Sequence, residues 1–446
     1  MRNNPGSMDQ SLPSALALLP LLLFLAIFLG SGIYYHLQGT EFAFYQIQAP
    51  VAALPALVLA FALSRRSLHD SVETFLRGAG HETIMAMCMI YLLAGAFSAV
   101  AGATGGVEAT VALALRVIPE SLLLPGLFLV GAFISTAMGT SMGTIAALAP
   151  IALGVAETAG LSLPLAAGTV LGGAMFGDNL SIISDTTIAA TRSQGCRMRD
   201  KFAVNFFIAL PAAVVVLLTL WLFSGGSEIP EMETLQPLKV LPYVVILIMA
   251  LAGFNVFAVL PAGILLAGLI GMLTVDGYGI TSLAGDIWTG FTKMQEIFIL
   301  SLMIGGLGAL MKEQGGLAFL VHKVEAVIRR CSRGGDNRAI AEGGIAGVVA
   351  LTNLCTANNT VAIIVSGDVA RDLARRNGVS PRHAASTLDI FACVIQGVIP
   401  YGAQILLVSS VMELSPLQVM GKVYYCFLLA LAGVVAIMVR AARARA

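Results

Sequence analysis

The sequence predicts an all-α polytopic membrane protein made of two inverted-topology repeats. Each repeat is expected to hold about five transmembrane helices, one re-entrant hairpin and a broken helix. Three observations predict this: a composition too apolar for a water-soluble globule, apolar runs of spanning length, and one order of motifs recurring in both halves. Of 446 residues, 58% are hydrophobic and 11% are charged, against about 25% charged in a soluble domain. A core of ordinary surface-to-volume ratio cannot hide that much apolar surface. The 25 basic and 25 acidic residues cancel, so there is no basic field for binding nucleic acid. A disordered chain would be far less hydrophobic. A β-barrel would alternate apolar and polar residues over roughly 10-residue strands, and these runs are long and continuous.

A helix needs about 20 apolar residues to cross the hydrocarbon core. Spans are expected near 14–34, 44–63, 83–101, 163–190, 202–223, 238–253, 255–275, 292–310, 383–412 and 420–439. The first run is long for a signal-peptide core and is read as a retained span. Two stretches, 122–159 and 340–369, are too long for one helix and are broken by glycine or polar clusters.

Basic residues cluster at Arg65/Arg66/Arg77, Arg192/Arg197/Arg199/Lys201, Lys323/Arg329/Arg330/Arg333/Arg338, Arg371/Arg375/Arg376/Arg382 and Arg440/Arg443/Arg445. The positive-inside rule places these loops and both termini in the cytoplasm. The acidic loop Glu228/Glu231/Glu233 is then external. Segment 340–369 has basic loops on both sides, so it enters and leaves on one face as a re-entrant hairpin. Its counterpart at 122–159 is flanked by Glu120 and Glu157 and dips in from outside.

The halves resemble one another. VAALPALVLAFAL from Val51 is similar to FAVLPAGILLAGL from Phe257, and GLSLPLAAGTV from Gly160 to GVSPRHAASTL from Gly378. The tip MGTSMGT matches the place of NLCTANNT, and aligning Ala167 with Ala385 sets Asp178 opposite Gln396. Residues 1–227 form the first repeat, with its broken helix near 163–190. Residues 228–446 form the second, with its broken helix near 383–412. Inverted repeats of this kind are a common secondary-transporter architecture.

The densest chemistry lies in GGAMFGDNLSIISDTTIAATRSQG, from Gly172 to Gly195. No Lys or Arg occurs between Arg116 and Arg192, yet this stretch holds Asp178 and Asp185. An intramembrane carboxylate costs roughly 2.5–3.5 kcal/mol at a helix centre on insertion scales. Glycines 172, 173 and 177 predict an unwound turn at residues 177–179, freeing carbonyls beside the Asp178 carboxylate. Asn179, Ser181, Ser184, Thr186 and Thr187 add oxygens, the ligands that hard cations take. A low-dielectric pocket favours the neutral form of a carboxylate, so such a group alternates between H+ and Na+. This makes Asp178 the expected Na+ ligand.

The hairpin tips supply a second ligand set: Thr140, Ser141 and Thr144 in the first, Thr356, Asn358, Asn359 and Thr360 in the second. Re-entrant backbone is stable only where buried or lining a cavity. The second broken helix contributes Asp389, Gln396 and Gln404. Asp389 reads either as a second proton site or as a residue near the cytoplasmic face.

FGDNLSIISDTT and the TANNT tip resemble the NhaC-type Na+/H+ antiporters of the ion-transporter superfamily, whose signature is approximately FGDKMSPLSDTT. The resemblance covers roughly residues 10 to 440. It implies two inverted repeats with re-entrant hairpins, and Asp178 and Asp185 as the acidic positions. Asn179 stands where that family usually has lysine, and Ile182 where it has proline, which removes a charge from the cycle.

The leading expectation is a Na+(Li+)/H+ antiporter of the bacterial inner membrane. The alternative is a Na+- or H+-coupled carrier of an amino acid or small carboxylate. No cofactor is expected; the partners are the transported Na+ and H+, the bilayer, and a homodimer as the candidate assembly. An intramembrane aspartyl protease is disfavoured, because Met175 occupies the first glycine of GxGD and Pro55-Ala56-Leu57 precedes the aspartates. The P-loop pattern GxxxxGK[ST] is absent.

Overall fold

The computed structural model describes residues 12–40, 46–182, 184–223, 236–331 and 338–445. The expected external acids Glu228, Glu231 and Glu233, and Arg333, lie outside the described residues. All regular structure among the described residues is helical. Among the described residues, nine helices are long and apolar enough to cross a membrane, and Ala49–Ala62 and Pro237–Leu251 are shorter apolar helices. The protein is a multi-pass membrane protein.

The chain forms two compact units, Met1–Met85 with Leu300–Gly334 and Ala86–Ile299 with Gly335–Ala446. The first contains α1 (Leu19–Leu37), α2 (Ala49–Ala62), α3 (Leu68–Ala79), the start of α4 (Glu82–Ala103), most of α14 (Gln295–Glu313) and α15 (Gly316–Cys331). The second contains the rest of α4 and α5 (Gly106–Val117), then α6 (Leu123–Met138), α7 (Ser141–Thr158), α8 (Leu163–Leu180), α9 (Asp185–Gln194) and α10 (Met198–Phe223). It continues through α11 (Pro237–Leu251), α12 (Val256–Thr274), α13 (Ile280–Lys293), the start of α14, α16 (Arg338–Thr356) and α17 (Asn359–Arg376). It ends with α18 (Pro381–Gln396), α19 (Ala403–Val411), α20 (Pro416–Met420) and α21 (Tyr424–Arg445).

In the second unit, α8 is the buried centre. From Leu165 to Leu180 every residue except Phe176 is buried, which is the mark of a helix enclosed by others. Its glycines let α6 approach. A Cβ at Gly173 would meet the Phe128 carbonyl, and one at Gly177 would press on the Ala132 carbonyl and stand 2.5 Å from Ser135 Cβ. Small residues at four-residue spacing allow close backbone packing in membranes. Hydroxyls then tie the pair: Ser135 Oγ donates to Ala174 O at 2.6 Å and Ser181 Oγ to Thr136 O at 3.0 Å.

The two stretches expected to be hairpins fold as helix pairs, α6–α7 and α16–α17. Their turns are built alike. Gly139 has φ 70° and Ala357 φ 49°, and each is followed by an extended cap residue, Thr140 and Asn358. Thr140 Oγ1 accepts from Gly143 N, and Asn358 Oδ1 from Val361 N at 3.0 Å, satisfying first-turn donors. Further on, Gly160 and Gly378 share a positive φ, and Ser162 and Ser380 cap α8 and α18 ahead of proline. Gly139/Ala357, Thr140/Asn358, Gly160/Gly378, Ser162/Ser380 and Asp178/Gln396 are each 218 positions apart.

Three expectations are corrected. The first broken helix stays helical at residues 177–179: α8 runs through Asp178 to Leu180, is capped by Ser181, and α9 begins at Asp185 after its cap Ser184. Gly177 serves close packing, and a helical glycine with a neighbour pressed on it has no reason to unwind. The cluster with Arg371, Arg375 and Arg376 is the end of α17, whose Arg371 Nε donates to Ser193 O at 2.6 Å. Finally, α3 is a helix where a basic loop was expected, capped by Ser67 Oγ accepting from Asp70 N at 3.1 Å. A search for long apolar runs overlooks such an amphipathic segment.

The packing predicts a contrast between two glycines. Gly177→Ala overpacks the α6–α8 contact and should cost about 1–3 kcal/mol. Gly347→Ala, whose added Cβ meets nothing within 4 Å, should be neutral or stabilising by up to about 1 kcal/mol. Thermal melting of the purified variants measures both; equal melting shifts would contradict the packing role of Gly177.

Candidate ion-binding site

The site lies within the second unit, where the ends of α8 and α18, the start of α9, the turn between α6 and α7, and α10 meet. Asp178 sits near the C-terminal end of α8 and is 4% exposed. Ser141, the first residue of α7, donates to Asp178 Oδ2 at 3.2 Å. Ser141 Oγ itself accepts from Gln404 Nε2 at 3.2 Å. Gln396 Nε2 donates to Gln404 Oε1 at 2.8 Å and to Ala357 O at 3.1 Å. A continuous polar relay therefore joins Asp178, the first tip, the second broken helix and the turn of the second tip.

A second buried charge cluster stands beside it. Lys201 is 0% exposed, as are Asp389 and Asn205. The three ammonium donors of a lysine have three acceptors here: Asp389 Oδ2 at 2.8 Å, Thr187 Oγ1 at 2.7 Å and Asn179 O at 3.0 Å. Asn205 Nδ2 donates to Asp389 Oδ2 at 2.8 Å and Asn179 O at 3.1 Å, while Ser386 Oγ donates to Asn205 Oδ1 at 2.6 Å. Asp178 feels the charges of both Asp389 and Lys201.

Lys201 overturns the expectation that it belongs to a cytoplasmic basic loop. It lies in the first turn of α10, which starts at Met198. The helix geometry puts Lys201 and Asn205, four residues apart, on one face. A buried cation thus comes from α10, and it reaches the backbone carbonyl of Asn179. The signal was present in the sequence: buried carboxylates require a compensating charge, and Lys201-x-x-x-Asn205 opens an apolar helix.

The break between α8 and α9 is knitted by hydroxyls. Thr187 Oγ1 donates to Ser181 O at 2.7 Å, Ser184 Oγ to Asp178 O at 3.4 Å, and Ser184 and Thr186 hydroxyls are 2.9 Å apart. These residues thus hold freed carbonyls and the lysine. Asp185 is exposed at the start of α9 and outside this buried set. The side chains of Thr140 and Thr144 are spent within their own turn, Thr144 Oγ1 donating to Thr140 O at 3.0 Å. Thr356 Oγ1 donates to Thr352 O at 3.0 Å. Asn358 Nδ2 reaches Met87 Sδ, Asn359 Nδ2 lies 4.0 Å from Cys393 Sγ, and Thr360 is half-buried. Ser141 is therefore the tip residue that touches the carboxylate.

Several buried oxygens have no hydrogen-bond partner among the described residues: Asn179 Oδ1, Asp389 Oδ1, Gln396 Oε1 and Asn353 Oδ1. Buried acceptors without donors are costly unless a cation or water completes them.

Residues 11–224 match the model of the Na+/H+ antiporter family. The chain is similar to the Na+/H+ antiporter NhaC of Bacillus subtilis (strain 168), 24% identical over 387 residues, covering 79% of this chain and 82% of that one. It is also similar to the malate-2H+/Na+-lactate antiporter of the same organism, 24% identical over 423 residues, covering 86% and 87%. The arginine/ornithine antiporter ArcD of Halobacterium salinarum is 23% identical over 324 residues, covering 65% of each chain.

The ion pair makes a prediction. Lys201→Met strands the Asp389 carboxylate and should destabilise the protein by about 3–5 kcal/mol. Adding Asp389→Asn removes the stranded charge, so the double variant should recover much of the yield and melting temperature. A double variant no more stable than Lys201→Met alone would show that the pairing does not hold this region.

Proposed function

We propose that the chain is an NhaC-type Na+/H+ antiporter, a reading supported by the family-model match over residues 11–224 and by the NhaC relatives, and that it exchanges Na+ or Li+ for H+ by alternating access. The observation that carries this reading is the charge count of the buried cluster. Asp178 and Asp389 bring two carboxylates, Lys201 brings one ammonium, and that ammonium is committed to Asp389. Asp178 then needs one further positive charge to make the buried set neutral. A proton and a Na+ each satisfy that need, and one excludes the other, which is the condition for antiport.

Hard cations take oxygen ligands. The Asp178 carboxylate, the Ser141 hydroxyl and the orphaned oxygens of Asn179, Gln396 and Asp389 are of the right kind. Protonation of Asp178 turns its acceptor oxygen into a donor towards Ser141. Ser141 then turns its own hydrogen towards Gln404, whose amide flips to accept it; Gln396 reorients to meet the flipped amide, and its bond to Ala357 O in the other hairpin turn is the last link. Both hairpins thereby respond to what occupies Asp178.

In this reading residues 1–227 and 228–446 are the two inverted repeats, supported by the constant 218-residue offset of caps and turns. They rock about the fixed site in the bacterial inner membrane, with both termini cytoplasmic. Asp185, exposed at the start of α9, attracts cations to the site from the water side.

A second reading, exchange of an amino acid or small carboxylate coupled to Na+ or H+, is favoured by the match over 86% of the chain to the malate-2H+/Na+-lactate antiporter. The substrate carboxylate would then rest on the amides of Gln396, Gln404, Asn358 and Asn359, since Lys201 is occupied.

Inside-out vesicles with an acidified lumen separate the two. Addition of Na+ or Li+ should alkalinise the lumen, with K+ inactive. Asp178→Asn should lower the rate at least about a hundredfold, the scale of losing a group that carries the transported proton. Asp185→Asn should keep exchange with a weaker apparent cation affinity. Lumenal alkalinisation by malate, lactate or arginine, and none by Na+ or Li+ alone, would replace the first reading by the second. Full exchange in Asp178→Asn would remove that residue from the cycle.

A further inference from the structure

Away from the buried cluster, a groove of about 890 Å³ runs between α10 and α21. Phe207, Pro211 and Val215 line one wall, and Leu431, Val435 and Val439 the other. The spacing by three or four residues keeps each set on one helical face. One end is entirely different in character: Arg382, Arg440 and Arg443 border it, with His383 and Asp200. Asp200 is already paired with Arg197 at 3.0 Å, and Arg440 with Glu342. Arg382 and Arg443 are exposed and form no ion pair among the described residues.

From Asp200 to Val215 the α10 wall rises about 22 Å at 1.5 Å per residue. One leaflet of the hydrocarbon core is about 15 Å deep, half of about 30 Å. The groove is thus as long as one leaflet together with its headgroup layer. Its apolar length matches an acyl chain, and its cationic end a phosphate.

We propose that this groove is a binding site for an anionic phospholipid, with an acyl chain along α10 and α21 and the phosphate between Arg382 and Arg443. Charge complementarity selects this occupant. A second copy of the chain docked two-fold on the groove would bring the same arginines towards one another, whereas a lipid of net negative charge neutralises them. A zwitterionic lipid fills the apolar part equally well but brings its own cation to the arginine end.

The test uses the full-length protein in detergent. It is offered phosphatidylglycerol or phosphatidylcholine of matched acyl chains, and bound lipid is counted by native mass spectrometry. The wild type should retain one phosphatidylglycerol and release phosphatidylcholine. The double variant Arg382→Gln/Arg443→Gln should bind phosphatidylglycerol roughly thirtyfold more weakly, equivalent to about 2 kcal/mol for two surface cations. Val435→Trp, which fills the apolar wall and leaves the arginines, should also displace the lipid. Equal retention of the two lipids, or unchanged phosphatidylglycerol binding in both variants, would overturn the proposal. So would disulfide cross-linking of Leu431→Cys between two copies in lipid-saturated protein, which would put a second copy in the groove.

Discussion

The buried ammonium of Lys201 is the interaction on which the architecture of the site depends. An isolated ammonium in a low-dielectric interior is prohibitively costly, and this one is fully enclosed. It is tolerated because each donor has an acceptor and each acceptor comes from a different element: Asn179 of α8, Thr187 of α9 and Asp389 of α18. The broken helix exists in this form because its freed carbonyls and hydroxyls are what the lysine binds. Satisfying Lys201 leaves Asp178 without a permanent countercharge. In the proposed cycle, the charge balance that stabilises the fold is also what makes Asp178 exchangeable.

That arrangement requires short distances between backbones, which the small residues provide. Gly173 and Gly177 bring α6 against α8, and this contact sets the first hairpin tip beside the Asp178 carboxylate. The second tip turns on Ala357, a non-glycine residue at positive φ, and its carbonyl accepts from Gln396. In the proposed repeat the aligned positions differ, with Asp178 in one half and Gln396 in the other. The ionisable side carries charge, and the neutral side transmits through amides.

Much of this was legible in the sequence, for specific reasons. Long apolar runs define crossing helices because the bilayer sets their length. The breaks between α6 and α7 and between α16 and α17 were legible because glycine and hydroxyl clusters interrupt runs that are too long for one helix. Asp178 stood out because a carboxylate without a neighbouring cation is rare in an apolar segment. What stayed hidden was tertiary. Lys201 follows Arg197 and Arg199 in a stretch that reads as a basic loop, and its burial depends on where the chain turns between α9 and α10. The amphipathic helices α3 and α13 lack the apolar length that a span search requires. Gly177 was read as a helix breaker, since sequence does not distinguish a glycine needed for flexibility from one needed for a close neighbour.

The central claim is that Asp178 holds either a proton or a cation, because the buried cluster lacks one positive charge. Proton release on cation binding tests it most directly. Purified protein in weakly buffered detergent is titrated with Na+ while a pH indicator and a Na+-binding isotherm are followed together. The charge count predicts one proton released for each Na+ bound in the wild type and none in Asp178→Asn. Saturable Na+ binding without proton release, or release that persists in Asp178→Asn, would contradict it.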